Sequence, residues 1–233
     1  MRHREQPRVQ PAARDLVGEL REGLRYVWQH PIFRPNLLAS GLANFSYGIV
    51  WAILLVFAVR SLELEAGVIG LVLAVGQAGG IAGALLARRI AARIGIGPAL
   101  IGAIALCGPA YAIVALATPS TAVPFLTIGW TLLSFASLVS AVLGVSIRQA
   151  LVPQHLQGRV VGATRSVILG AIPLGALVGG VLAAAIGLRP TLLVGALVCG
   201  PAFVPLLRSP VRWLRELPAT EPTAMVEVGS APA

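Results

Sequence analysis

Lysine is missing from this chain, and its 18 basic residues are all arginine. Aspartate occurs once, at Asp15. Charged residues make up 12% of the 233 positions, about half the share usual in a soluble domain. A chain this poor in charge and 57% apolar would leave far too much greasy surface in water, which excludes an ordinary globular domain. The three histidines, His3, His30 and His155, lie far apart with no acids beside them. No nucleophile motif, metal-ligand spacing or phosphate-cradling loop occurs, so the reading is not an enzyme, with no metal and no cofactor. Cys107 and Cys199 are the only cysteines, and both sit inside apolar runs, where they read as small buried hydrophobes. The start, Met1 to Arg14, is polar and shows no cleavable signal peptide.

What the chain has in abundance is long apolar runs. Six of them, at about 36–59, 66–87, 98–117, 123–147, 164–186 and 190–207, each suffice to cross about 30 Å of hydrocarbon. They are continuous rather than alternating, which excludes a β-barrel. The class is an all-α polytopic membrane protein, with the lipid bilayer as its first partner. Residues 1–34 read as a basic cytoplasmic arm. Within it Leu16, Leu20, Leu24 and Val27 recur at helical spacing, with Arg14, Asp15, Glu22 and Arg25 on other faces, and predict a short amphipathic helix. Residues 35–208 form the bundle, and the Pro-rich polar tail 209–233 reads as disordered.

Net charge +9 in a soluble protein would suggest nucleic acid. Here the arginines lie between apolar runs and set topology instead, so no nucleic-acid partner is expected. Seven precede the first span. Arg88, Arg89 and Arg93 follow the second, Arg148, Arg159 and Arg165 the fourth, and Arg208, Arg212 and Arg215 the sixth. The alternate loops hold only Arg60 and Arg189. This bias predicts both termini in the cytoplasm, and the Arg-only, Ala/Gly-rich composition suggests a bacterial inner membrane.

A shift of 92 positions brings two stretches into register. Gly83-Ala84-Leu85 falls on Gly175-Ala176-Leu177, Ile94-Gly95 on Ile186-Gly187, Pro98 on Pro190, and Cys107-Gly108-Pro109-Ala110 on Cys199-Gly200-Pro201-Ala202. The first copy's connecting loop is on the arginine-rich side and the second copy's is opposite. The six spans therefore read as a 3+3 inverted repeat.

Three stretches carry a family resemblance. Arg21 through Pro31 resembles an entry into a seventh helix, Gly83 through Gly95 a degenerate glycine/arginine loop motif, and Arg148 through Pro153 with Gly158-Arg159-Val160 a loop between tenth and eleventh helices. Together they resemble the C-terminal six-helix half of a major facilitator superfamily transporter, closest in look to the bacterial branch that includes enterobactin and macrolide exporters. The loop motif departs from the family pattern at Ala87, where an Asp is usual. The resemblance implies a membrane transporter component, exporting amphipathic small molecules by alternating access and needing a second six-helix bundle, from the same or a separate chain. The alternative is a non-transporting truncated or scaffold membrane protein.

The spans hold essentially no charge, so a proton-driven mechanism would draw its carboxylate from the second bundle. Polar residues do form stripes. Ser40, Asn44, Tyr47 and Trp51 share one helix face in the first span; Thr127, Trp130 or Thr131, Ser134 and Ser137 do so in the fourth. With the lone amide Gln77 of the second span, they are candidates to line a substrate cavity, against the plainer role of gluing helices together. Gly76/Gly80, Gly79/Gly83 and Gly175/Gly179 read as close-packing sites. Pro109, Pro173, Pro201 and Pro205 can break helices locally, which suits rocking or gating elements, with mere kinks as the alternative. Arg88 and Arg159 are the candidates for a cytoplasmic gate.

Overall fold

The computed structural model describes residues 16–215. The expected arm before Leu16 and the tail beyond Arg215 lie outside the described residues. Eight helices appear: α1 (Leu16–Gln29), α2 (Phe33–Arg60), α3 (Ala66–Ile94), α4 (Ile96–Leu116), α5 (Ala122–Leu151), α6 (Gln154–Ile186), α7 (Leu188–Cys199) and α8 (Val204–Leu207). Six spans, with α7 and α8 sharing the last, are long and apolar enough to cross a membrane.

Several helices outrun their apolar stretches. α3 continues through Arg88, Arg89 and Arg93, and α6 starts ten residues before the apolar run. The expected loop motif is therefore helix up to Ile94, and only Gly95 turns. The sixth span breaks at a 3-10 turn, Gly200–Phe203, because Pro201 and Pro205 remove two amide donors one turn apart. The repeat-related Pro109 stands alone, since Ile113 takes the place of Pro205, and α4 stays continuous. The tail expected from Ser209 is instead ordered as far as Arg215. Val211 is fully buried, and the carbonyl of Leu214 accepts from the Gly97 amide at 2.8 Å.

The inverted repeat is visible in the packing. Exchanging α2 with α5, α3 with α6 and α4 with α7 maps the main interfaces onto one another. The two most extensive contacts, α3 with α5 and α2 with α6, change places, as do α4 with α5 and α2 with α7. The turns also match. Gly95 and Gly187 have φ of +94° and +89°, where a side chain would be strained, and they cap α3 and α6 by donating to Ala91 and Ala183. α4 and α7 then meet at the pseudo-twofold axis. There a Cβ on Gly108 would lie 2.9 Å from the Cα of Gly200, next in chain to Cys107 and Cys199.

The glycines set the helix spacing. Gly83 lies against the Phe135 carbonyl of α5, and Gly175 against the Phe45 carbonyl of α2, each too close to admit a Cβ. These paired contacts make Phe45 and Phe135 structural counterparts. The first helices of the two repeats are thus offset by 90 positions rather than 92.

Candidate functional site: a neutral cavity among four helices

With Phe45 set on Phe135, Ser40 corresponds to Trp130, Asn44 to Ser134 and Tyr47 to Ser137. The two polar stripes occupy equivalent faces of α2 and α5, and the fold turns both toward one cavity of about 300 Å3. Seven of the eight candidate cavity residues line it: Ser40, Asn44, Tyr47, Gln77, Trp130, Ser134 and Ser137. Trp51 is set beside it, bridging two lining rings by stacking on Tyr47 at 5.8 Å and on Trp130 at 5.3 Å between centroids.

The polar groups differ in how they are satisfied. Asn44 Nδ2 donates to the Ser40 carbonyl at 2.8 Å, and Ser134 Oγ donates to Gln77 Oε1 at 2.7 Å, tying α5 to α3. Trp130 Nε1 is the exception. It is the one buried side-chain nitrogen or oxygen without a hydrogen-bond partner among the described residues. Its ring is seated by Gly76, where a Cβ would collide with the indole. An orphaned donor of this kind costs about 1–3 kcal/mol until an acceptor reaches it. Among the described residues no Arg, Asp, Glu or His lines the cavity. The arrangement offers aromatic faces, hydroxyls and amides to an uncharged or amphipathic molecule, and no ionisable acid or base.

The chain matches the sequence profile of the Major Facilitator Superfamily over residues 6–230. The chain belongs to this superfamily. It is also 30% identical over 181 residues to the Multidrug efflux pump Tap of Mycolicibacterium fortuitum, a match covering 76% of this chain and 42% of that protein. The chain thus spans less than half the length of this curated relative. No solved structure matches significantly. Family and helices together make this a multi-pass membrane protein built as a six-helix, 3+3 half of the major facilitator fold.

In this superfamily member the gate candidates lie away from the cavity, at the arginine-bearing end. Arg159 on α6 donates to Glu22 of α1 at 2.7 Å, so its partner here is in the same chain. Arg88 is exposed on the late turns of α3 and has no ion pair among the described residues. α4 contributes two lining residues that the stripes do not include, Cys107 and Tyr111. Cys107 was expected to be a buried filler. It is only partly covered and faces the cavity, while Cys199 is buried. The one signal for this face is that Cys107 and Tyr111 stand four apart in an otherwise apolar helix.

Proposed function

We propose that the chain is a component of a secondary transporter that moves amphipathic small molecules outward. By alternating access, this bundle would rock against a second six-helix bundle around the neutral cavity. The observation that carries this reading is the Trp130 indole N–H, left without an acceptor among stacked rings in a cavity that holds no charge. The relative named as a multidrug efflux pump agrees with it. The second bundle would dock on α3 and α6. These are the two least buried spans, and their repeat-related residues Leu85 and Leu177 are 72% and 69% exposed. The arginine-bearing end would face the cytoplasm of a bacterial inner membrane, with the arm and tail on that side. If transport is proton-driven, the titrating carboxylate sits in the second bundle, because the spans here offer none.

The test is efflux of a fluorescent amphipathic dye from proteoliposomes holding the chain alone, or the chain with a six-helix bundle encoded next to it. Transport is expected from one of these. Trp130→Phe keeps the ring but loses the donor, and should weaken dye binding about fivefold. Transport by neither preparation overturns the reading. Dye handling that is indifferent to both Trp130→Phe and Tyr47→Ala favours a non-transporting scaffold.

A further inference from the structure

Helix α1 is held by one flank only. Gly23 sits on the Arg159 carbonyl of α6, closer than any side chain would allow, and Val27 is 1% exposed. Leu20 and Leu24 of the expected apolar face are exposed, and so is Trp28 beside them. Between this free flank and α2 runs a groove of about 1360 Å3. It continues, past shared walls at Trp28, Leu38 and Pro205, into a second hollow of about 540 Å3.

The groove has two chemistries. Its floor is apolar, formed by Leu37, Leu38, Leu42 and Phe45 of α2. From Phe33 at the start of α2 to Phe45 the helix descends about 18 Å, which carries the floor well into the hydrocarbon layer. Its rim is cationic: Arg21 and Arg25 border the first hollow, Arg34 and Arg208 the second. The Arg34 guanidinium lies 5.1 Å from the Trp28 ring centroid. Among the described residues Glu22 is the only carboxylate of the lining, and Arg159 engages it. Burial holds His30 below its ordinary imidazole value, so the rim charge belongs to arginine.

We propose that this groove is a binding site for an anionic glycerophospholipid, its phosphate between the rim arginines and an acyl chain along the α2 floor. A water-soluble anion would leave the floor empty, and a zwitterionic lipid would leave the arginines without net charge to meet. The site is independent of the central cavity and stands whether or not the chain transports.

The experiment is native mass spectrometry of the full chain released from nanodiscs of phosphatidylcholine mixed with phosphatidylglycerol. Retention of phosphatidylglycerol over phosphatidylcholine is expected. The double variant Arg21→Gln/Arg25→Gln should lower that retention about thirtyfold, from about fivefold per arginine. Arg212→Gln/Arg215→Gln, at the same end but outside the groove lining, should leave it unchanged. Trp28→Ala, an exposed position, should also reduce it. The proposal is overturned by equal retention of both lipids, by a lipid-free chain, or by retention that survives the Arg21/Arg25 change. A photo-crosslinker at Leu38 that captures the chain's own terminal segment instead of lipid also overturns it.

Discussion

The two halves of the bundle, α2–α4 and α5–α8, keep the same backbone contacts and change the side chains that face the cavity. Three pairs of glycines agree, at the turns after α3 and α6 and at close helix contacts: Gly95 with Gly187, Gly83 with Gly175, Gly108 with Gly200. At equivalent cavity positions they diverge. Ser40 stands for Trp130, Asn44 for Ser134, Tyr47 for Ser137. The backbone favours the first set, through positive φ at Gly95 and Gly187 and through carbonyls that leave no room for a Cβ at Gly83 and Gly175. Nothing forces the second, and so a symmetric scaffold encloses an asymmetric cavity. Chemistry that recognises an asymmetric molecule belongs where the repeats differ.

The largest expected effect is all-or-none and tests the axis. Repeat-related residues can approach each other only on a twofold, and Gly108 meets Gly200 there, next in chain to Cys107 and Cys199. A mild oxidant such as copper-phenanthroline should therefore consume both thiols together within one chain. Maleimide labelling and intact mass read this out, with Cys107→Ala leaving Cys199 free. Crosslinks between chains only, or thiols that remain separately labelled, would break the mirror relation of the halves.

Next in size are the glycine seats. Gly83→Leu and Gly175→Leu each drive a side chain into a backbone carbonyl of the partner helix, Phe135 or Phe45. Each should cost about 3 kcal/mol or more, read as loss of folded, monodisperse protein on heating in detergent. Gly180→Ala, where a Cβ meets nothing within 4 Å, should be nearly silent. Tolerance of one leucine and not the other would show that the halves pack by different rules.

Much of this comparison can be read from residues alone, and the rest fails for physical reasons. Hydropathy finds the spans because lipid selects continuous apolar runs. It misplaces the ends of α3 and α6 because arginine and alanine are good helix formers, and arginine reaches back to the interface without breaking the helix. The break before α8 falls at two of the prolines expected to break helices, and the pair spaced by four is what sets it apart from the lone Pro109 and Pro173. The cavity stripes were visible as helical periodicity. Tyr111 and Cys107 were not, since one polar edge on an apolar helix has no period to detect. The equivalence of the stripes stayed hidden by two residues of extra offset, which only the Phe45 and Phe135 contacts reveal. The partner of Arg159 required knowing that α1 folds back over α6.

Helix α1 is where the halves differ most, for it rests on α6 and, among the described residues, has no counterpart lying along α3. α3 presents arginines at the same end, so positive charge is not what selects α6. The selective contact is shape: Gly23 fits over the Arg159 carbonyl, and Val27 is buried. The Arg159–Glu22 pair looks like the obvious tether, yet its side chains are 38% and 53% exposed, and water and salt screen such a pair. Glu22→Gln should therefore cost no more than about 1 kcal/mol, the smallest effect here, and the cost should shrink as salt is raised. Thermal unfolding in detergent at low and high ionic strength measures it, alongside labelling of a cysteine placed at Leu24 to report whether α1 stays docked. Release of α1 by Glu22→Gln would mean that charge, after all, chooses which half carries the helix.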